Sequence, residues 1–308
     1  MKFKKTISLM LSAVFLASAF TSWAAASNAI EPDNIDEIDY FIRIANDTMT
    51  TNAATNTIMT DNDLSVWSLY DEANELGYVS VDDSGHYVLD PQIQSLTNST
   101  SLYHELLHMF DIANDSISRG LCYVDPETYE LVSVSLTREI IEQATFIDHD
   151  AAANNDATPY SSSNHGCAFS DLYLGGVVST NYAIISDYWD EMIQLSIKNP
   201  NLYPKAATIG FWVGKIQEGG EWDYKVKPGY SPYNKTFCCT YGKNYSKQWV
   251  HRTSEFIGNY NYGYTGQLLF SLSVLKKGSD AAAGNFFEPD TSDYPAITEG
   301  YNDASAIE

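Results

Sequence analysis

Apolar residues recur every three or four positions through IDEIDYFIRIAND (residues 35–47) and SVWSLYDEANELG (residues 65–77). Both stretches are expected to form amphipathic helices, the second ended by Gly77. The period then drops to two: YVSVDDSGHYVLD alternates like a hairpin with Asp83, Ser84 and Gly85 at its turn. Helical spacing returns in STSLYHELLHMFDIAND, which opens on a Ser/Thr cluster suited to capping. A second hairpin is expected in CYVDPETYELVSVS, around Asp125, Pro126 and Glu127, and another helix in LTREIIEQATFIDHDAAAN. A Ser- and Asn-rich loop (residues 154–164) and a mixed segment lead to the helix YWDEMIQLSIKN. Beyond Pro204 the pattern breaks into short aromatic pieces punctuated by glycine. Helices alternating with hairpins put the fold in the α+β class.

The first residues change the picture of where the chain works. MKFKKTISLMLSAVFLASAF carries three early lysines and an apolar run, followed by the small residues of TSWAAASNA. That is the layout of a secretory signal peptide, with cleavage expected after Ala26 or Ala29, and the run is too short for a permanent membrane anchor. Residues 1–29 are therefore set apart, and the mature chain is expected to be secreted.

Charge divides what remains. The net charge is −23, and residues 30–200 hold 29 acidic and four basic side chains, whereas residues 201–308 hold 11 and ten. The shift falls near NPNLYPKAA, where Pro200 and Pro204 disfavour a continuing helix. Two domains are expected, 30–200 and 201–308. The acidic front should repel nucleic acid and anionic wall polymers. The back does not share that objection, because eight basic residues between Lys205 and Arg252 are interleaved with Trp212, Trp222, Tyr224, Tyr230, Tyr233, Tyr241, Tyr245 and Trp249. Such a mixture either binds a phosphate backbone or stacks on sugars or bases, or else is an aromatic core with solvated lysines. Of the four cysteines, the adjacent Cys238 and Cys239 are poorly placed to bond each other, which leaves Cys122 with Cys167 as a plausible pair or all four as thiols.

Chemistry concentrates first in YHELLHMFD. On a helix, Leu106, Met109, Phe110 and Ala113 form the buried stripe, while His104 and His108 lie one turn apart on another face with Glu105 beside them. This is the HExxH arrangement in which two imidazoles hold Zn2+ and the glutamate takes a proton from metal-bound water. The competing reading is a surface histidine pair. A catalytic zinc needs a third protein ligand. Asp111 and Asn114 stand where the metzincin pattern requires Gly and His, so that class does not fit. The stretch resembles the gluzincin layout, in which a glutamate on a later helix closes the site. The resemblance implies a zincin-like front domain, a small sheet plus the HELLH helix, with Glu139 of TREIIEQAT as third ligand and Glu142 as the alternative; Gln143 departs from the pattern. Asp111 is either an acceptor for an imidazole N–H or a solvated acid, and His149 or His165 could assist an oxyanion.

Three stretches of the back third stand out: Trp222-Asp223-Tyr224-Lys225; Gly258-Asn259-Tyr260-Asn261-Tyr262-Gly263-Tyr264-Thr265-Gly266; and Asp293-Tyr294-Pro295 with Ile297 and Gly300. In this order they resemble the polymorphic toxin type 44 domain of bacteria, over residues 205–301. The resemblance implies a smaller α+β hydrolase domain and leaves an immunity protein open as partner. From the residues themselves, Asp223 and Glu255 are candidate acid and base, and Lys225 and His251 candidates to stabilise negative charge. The glycines could equally be tight turns.

Three functional expectations follow. The first is a secreted toxin or effector with a zinc-dependent peptidase-like front, acting on a peptide or protein, and a toxin-44-like hydrolase behind it. In the second, the front is an inactive carrier for a domain acting on cell wall or nucleic acid. The third is a non-enzymatic binder of glycan or polyanion.

Overall fold

A computed structural model of the chain describes residues 36–51, 61–146, 167–282 and 291–306. The expected signal peptide, the Ser/Asn-rich loop, His149 and His165 lie outside the described residues. The helices in chain order are α1 (Glu37–Thr51), α2 (Asp61–Glu75), α3 (Thr100–Ser118), α4 (Arg138–Phe146), α5 (Leu174–Ser196), α6 (Pro204–Ile216), α7 (Ser254–Gly266), α8 (Leu272–Ala282) and α9 (Tyr294–Ala304). Strands β1 (Val79–Val81) and β2 (Tyr87–Leu89) form one antiparallel hairpin, and β3 (Cys122–Val124) and β4 (Leu131–Ser133) form another. A third sheet joins β5 (Ser170–Leu172), β6 (Thr236–Tyr241) and β7 (Lys247–Thr253). The protein is thus α+β with small sheets. No helix among the described residues is long and apolar enough to cross a membrane.

Both hairpins turn where their sequences dictate. Asp82 Oδ1 accepts from the N–H groups of Ser84 (2.8 Å) and His86 (3.0 Å), and Gly85 takes the left-handed backbone, φ +82°, that closes the turn. Asp125 Oδ1 does the same for Glu127 (2.8 Å) and Thr128 (3.0 Å). In α3, Ser99 caps Leu102 N at 3.2 Å, and the buried stripe is Leu106, Met109, Phe110 and Ala113, extended by Ser116.

The charge break at residues 200–201 does not separate two cores. Strand β5 pairs in parallel with β6, Ser170 opposite Phe237 and Leu172 opposite Cys239. Helix α1 packs on α6 through Phe41, whose ring meets Trp212 edge-on at 5.1 Å and Phe270 at 4.9 Å. The segment between α5 and α6 is sewn to β4: Asn199 Oδ1 accepts from Leu131 N (2.6 Å), and Tyr203 N donates to Ser133 Oγ (2.8 Å). The prolines do end one helix and begin the next, with Pro204 in the first turn of α6. They mark a corner within one hydrophobic core.

Two further expectations are corrected. The disulfide joins Cys167 to Cys238, across the expected boundary, while Cys122 and Cys239 are buried thiols whose pKa values desolvation raises to about 12. The glycine-punctuated stretch 254–266 is a helix, and Gly263 and Gly266 are close contacts, not turns. A Cβ on Gly263 would lie 2.1 Å from the Ile297 carbonyl oxygen, and one on Gly300 would lie 2.1 Å from that of Tyr260. Glycine at these two points lets α7 and α9 cross backbone to backbone.

Candidate active-site cleft and the HELLH helix

That close crossing brings the distant segments to one place. Past the end of α6 the chain turns back, with Trp222 N donating to Lys215 O (2.8 Å). Asp223 then fixes the turn, one carboxylate oxygen accepting from Gly219 N (3.0 Å) and the other from Lys225 N (3.2 Å). Trp222 and Tyr224 are buried by this turn. Residues 222–226 form one wall of a cleft of about 330 Å3; Gly258, Asn259, Asn261 and Tyr262 of α7 form a second, and Asp293 and Ile297, at the start of α9, a third. The three stretches singled out in the back third therefore meet in one cavity.

The front of the chain completes it. Glu37, in the first turn of α1, lines the same cleft. Desolvation at the cleft wall raises its pKa to about 7; the charge of Lys225 and a hydrogen bond with Tyr262 oppose the rise, and Asp36 and Asp293 add to it. Tyr262 has one proton, and its hydroxyl donates to the Leu275 carbonyl at 2.9 Å. Asn181 of α5 braces the floor: its buried Nδ2 donates to Tyr224 Oη (2.9 Å) and Asn261 Oδ1 (2.8 Å).

The back-third candidates separate into two groups. Asp223 and Lys225 line the cleft, but Glu255 and His251 are not among its lining residues. Glu255 is exposed in the first turn of α7. His251, on β7 opposite Cys238, lies with Nε2 3.5 Å from Cys167 Sγ and its ring against Phe169. The basic residues near them are largely engaged within the protein: Lys215 pairs with Glu221, Lys247 with Glu299, and Arg252 donates to Tyr241 Oη at 2.6 Å. Most of the interleaved aromatics are core, with Tyr233, Tyr245 and Trp249 the exposed ones.

The HELLH helix presents His104 and His108 to solvent on the face away from its buried stripe. Helix α5 packs beside it. Tyr188 anchors the contact, its hydroxyl 2.7 Å from Ser116 Oγ and its ring stacked on Phe211 at 4.1 Å. This sets Asp187 and Glu191, one turn apart, over His108; His108 Nε2 is 3.1 Å from Asp187 Oδ2, and ligand atoms of all three lie within 4.8 Å of one another. Desolvation raises the pKa of Glu191 to about 7, with Asp187, Glu105 and Asp190 reinforcing and His108 opposing. One imidazole nitrogen and two carboxylates are a donor set that suits a divalent cation, Zn2+ among them. His104 does not join the group; its ring sits 5.7 Å from that of Tyr103.

The expected third ligand is elsewhere. Helix α4 packs on α6 and α1, tied to α1 by Arg138 to Asp36 and Asp39, and neither Glu139 nor Glu142 is grouped with His108. Glu139 is exposed, its pKa lowered by its own backbone N–H, the Thr137 hydroxyl and Arg138, as befits a first-turn carboxylate. Asp111 is exposed, matching the solvated reading. Asn114 clasps Tyr87, accepting from its N–H (2.8 Å) and donating to its carbonyl (2.9 Å).

Sequence reasoning did not single out Glu37, Asp187 or Glu191. Glu37 was visible only as an acid in the first turn of an amphipathic helix, and the D-x-x-x-E spacing of residues 187–191 only as two acids on one helical face. No family model, curated protein or solved structure matches the chain.

Proposed function

We propose that the protein is an exported, toxin-like hydrolase whose working site is the cleft shared by Glu37, Asp223, Lys225 and Asp293, and that its target is an uncharged glycan such as that of a cell wall. One observation carries the reading: the three stretches that resemble the type 44 toxin domain, far apart in sequence, converge with Glu37 on a single cavity. Glu37 is the acid. Its pKa near neutrality suits proton donation to a leaving oxygen as the glycosidic bond breaks. Lys225 stabilises the carboxylate that remains. Asp223 and Asp293 are the carboxylates available to take a proton from the attacking water. Between the two targets expected of such a domain, charge favours glycan: among the described residues Glu37, Glu218, Asp223 and Asp293 face a single lysine, and that surplus repels a phosphodiester backbone. The smaller α+β, toxin-like part of the fold is then the unit around α7 and α9, completed by α1.

Turnover of purified peptidoglycan, RNA and DNA by the parent, Glu37→Gln and Lys225→Met proteins tests this. Release of reducing ends from glycan, lost by about 100-fold or more in Glu37→Gln, is the expected outcome. Cleavage of nucleic acid alone, or undiminished turnover by Glu37→Gln, would overturn it.

A second reading has its own observation, the grouping of His108, Asp187 and Glu191. In it the zincin-like front is a zinc-dependent peptidase. His108, Asp187 and Glu191 would hold the ion, which supplies Lewis-acid polarisation of a peptide carbonyl when bound. Glu105, beside them, would carry the proton from water to the leaving amine. Zinc content by mass spectrometry separates the sets: about one ion per chain, lost in His108→Ala and kept in Glu139→Ala, supports this reading. No zinc after loading at neutral pH removes it.

A further inference from the structure

A second cavity, of about 350 Å3, lies between the start of α5, the loop joining β6 to β7, and the end of α9. It shares no lining residue with the cleft. Helix α7 offers Asn259, Asn261 and Tyr262 to the cleft but Tyr260 and Tyr264 to this cavity. We infer that the second cavity is a binding site for an uncharged saccharide, separate from the site of hydrolysis.

The wall is aromatic and open. Tyr245 is 47% exposed and Tyr173, beside it, 50%; their rings lie 5.2 Å apart, tilted by 40°. Exposed rings of this kind offer flat apolar faces of the size of a pyranose, at the low entropic cost of a side chain with two rotatable angles. The backbone that presents Tyr245 is unusual. Asn244 and Tyr245 both take left-handed backbone, with φ of 52° and 55°, a conformation asparagine tolerates and tyrosine rarely adopts. Consecutive residues hold such strain where the surrounding structure dictates it, and these are the residues that line the cavity. Gly175 makes room: a Cβ there would lie 3.1 Å from the Tyr245 ring.

The rim carries no surplus charge. Among the described residues, Lys243 and Asp303 are its only ionisable side chains besides the tyrosines. Asp303 is positioned by Tyr260, whose hydroxyl donates to Oδ2 at 2.9 Å. Asn244, Ser179 and Asp303 supply the amide, hydroxyl and carboxylate that hydrogen-bond sugar hydroxyls. A polyanion would need several cations, and a lipid a wholly apolar lining.

The test is titration of the full chain with chitotetraose, an uncharged oligosaccharide, by NMR, alongside heparin as polyanion. Chitotetraose is expected to shift resonances of residues 242–245 and 303. Binding should weaken by about ten-fold in Tyr245→Ala and stay within about three-fold in Tyr245→Phe, because stacking, not the hydroxyl, carries it. Tyr245 is exposed, so its truncation spares the core; a far-UV spectrum checks this. Glu37→Gln should show the same shifts at residues 242–245 and 303 as the parent, which separates failure here from failure of the cleft reading. No shift at these residues with millimolar chitotetraose, equal binding by Tyr245→Ala, or heparin binding in place of chitotetraose would each overturn the inference.

Discussion

The same substitution at two places on α7 should have opposite effects. A methyl group on Gly263 would sit 2.1 Å from Ile297 O, 2.8 Å from Ile297 C and 2.9 Å from Ile297 Cα. All three atoms are backbone, so no side chain can rotate away, and α9 must move off by about 1 Å to restore ordinary contact. Overpacking of this kind costs about 1–3 kcal/mol, and a backbone-on-backbone clash belongs at the upper end. Replacing glycine by alanine inside a helix returns about 1 kcal/mol. Gly263→Ala should therefore lose about 2 kcal/mol net, and Gly300→Ala, facing Tyr260 O at 2.1 Å, about the same. Gly258 lies on the same helix, but its nearest neighbour is Lys225 Cε at 3.9 Å. Gly258→Ala should be neutral or stabilise by up to about 1 kcal/mol. Urea unfolding followed by circular dichroism reads the difference: with a slope of about 2–3 kcal/mol/M, Gly263→Ala should lower the midpoint by roughly 0.7–1 M. Equal midpoints for Gly263→Ala and Gly258→Ala would refute the backbone crossing on which the cleft is built.

Other perturbations probe other parts. The pKa of Glu37 is raised to about 7 in the folded protein, so the stability it contributes is whole below its unfolded value of about 4.3 and is lost as pH rises through about 7. Glu37→Gln should thus match the parent near pH 4 and exceed it by about 1–3 kcal/mol at pH 8–9, a figure discounted for the cleft's access to water; a stability gain that does not depend on pH would contradict this. A fragment of residues 201–308 lacks α1, which packs on α6, and β5, which pairs with β6, so it should give no cooperative unfolding transition. Asn181→Leu leaves Tyr224 Oη and Asn261 Oδ1 without their shared donor and should cost about 2 kcal/mol, seen as a lowered urea midpoint.

Local structure was legible wherever one residue's chemistry fixes it. Asp82 and Asp125 announce their hairpins because each carboxylate satisfies two turn N–H groups, and the stripe on α3 follows from spacing alone. The start of α5 was not legible, since Gly175, Gly176, Val177 and Val178 are weak helix formers that tertiary packing overrides. Helix α7 was hidden for the same reason: its glycines read as turns, and only the partner backbone of α9 reveals that Gly263 is a contact. Charge misled at the domain level, because an acidic surface says nothing about whether the core beneath it is continuous. The carboxylates were the hardest part. Glu37 reaches the cleft from about 190 residues before Lys225, and Asp187 and Glu191 reach His108 from α5, while the resemblance to another layout implied Glu139 or Glu142. Distance along the chain carries no record of such meetings; packing of α1 on α6 and of α5 on α3 creates them.

Glu37 and Lys225 form one electrostatic unit in the cleft. A 13C NMR titration of the Glu37 carboxyl tests it without a substrate. The expected midpoint is about 7, moved higher in Lys225→Met because the opposing charge is gone. Titration in the ordinary glutamate range of about 4–5, or a midpoint indifferent to Lys225→Met, would contradict it.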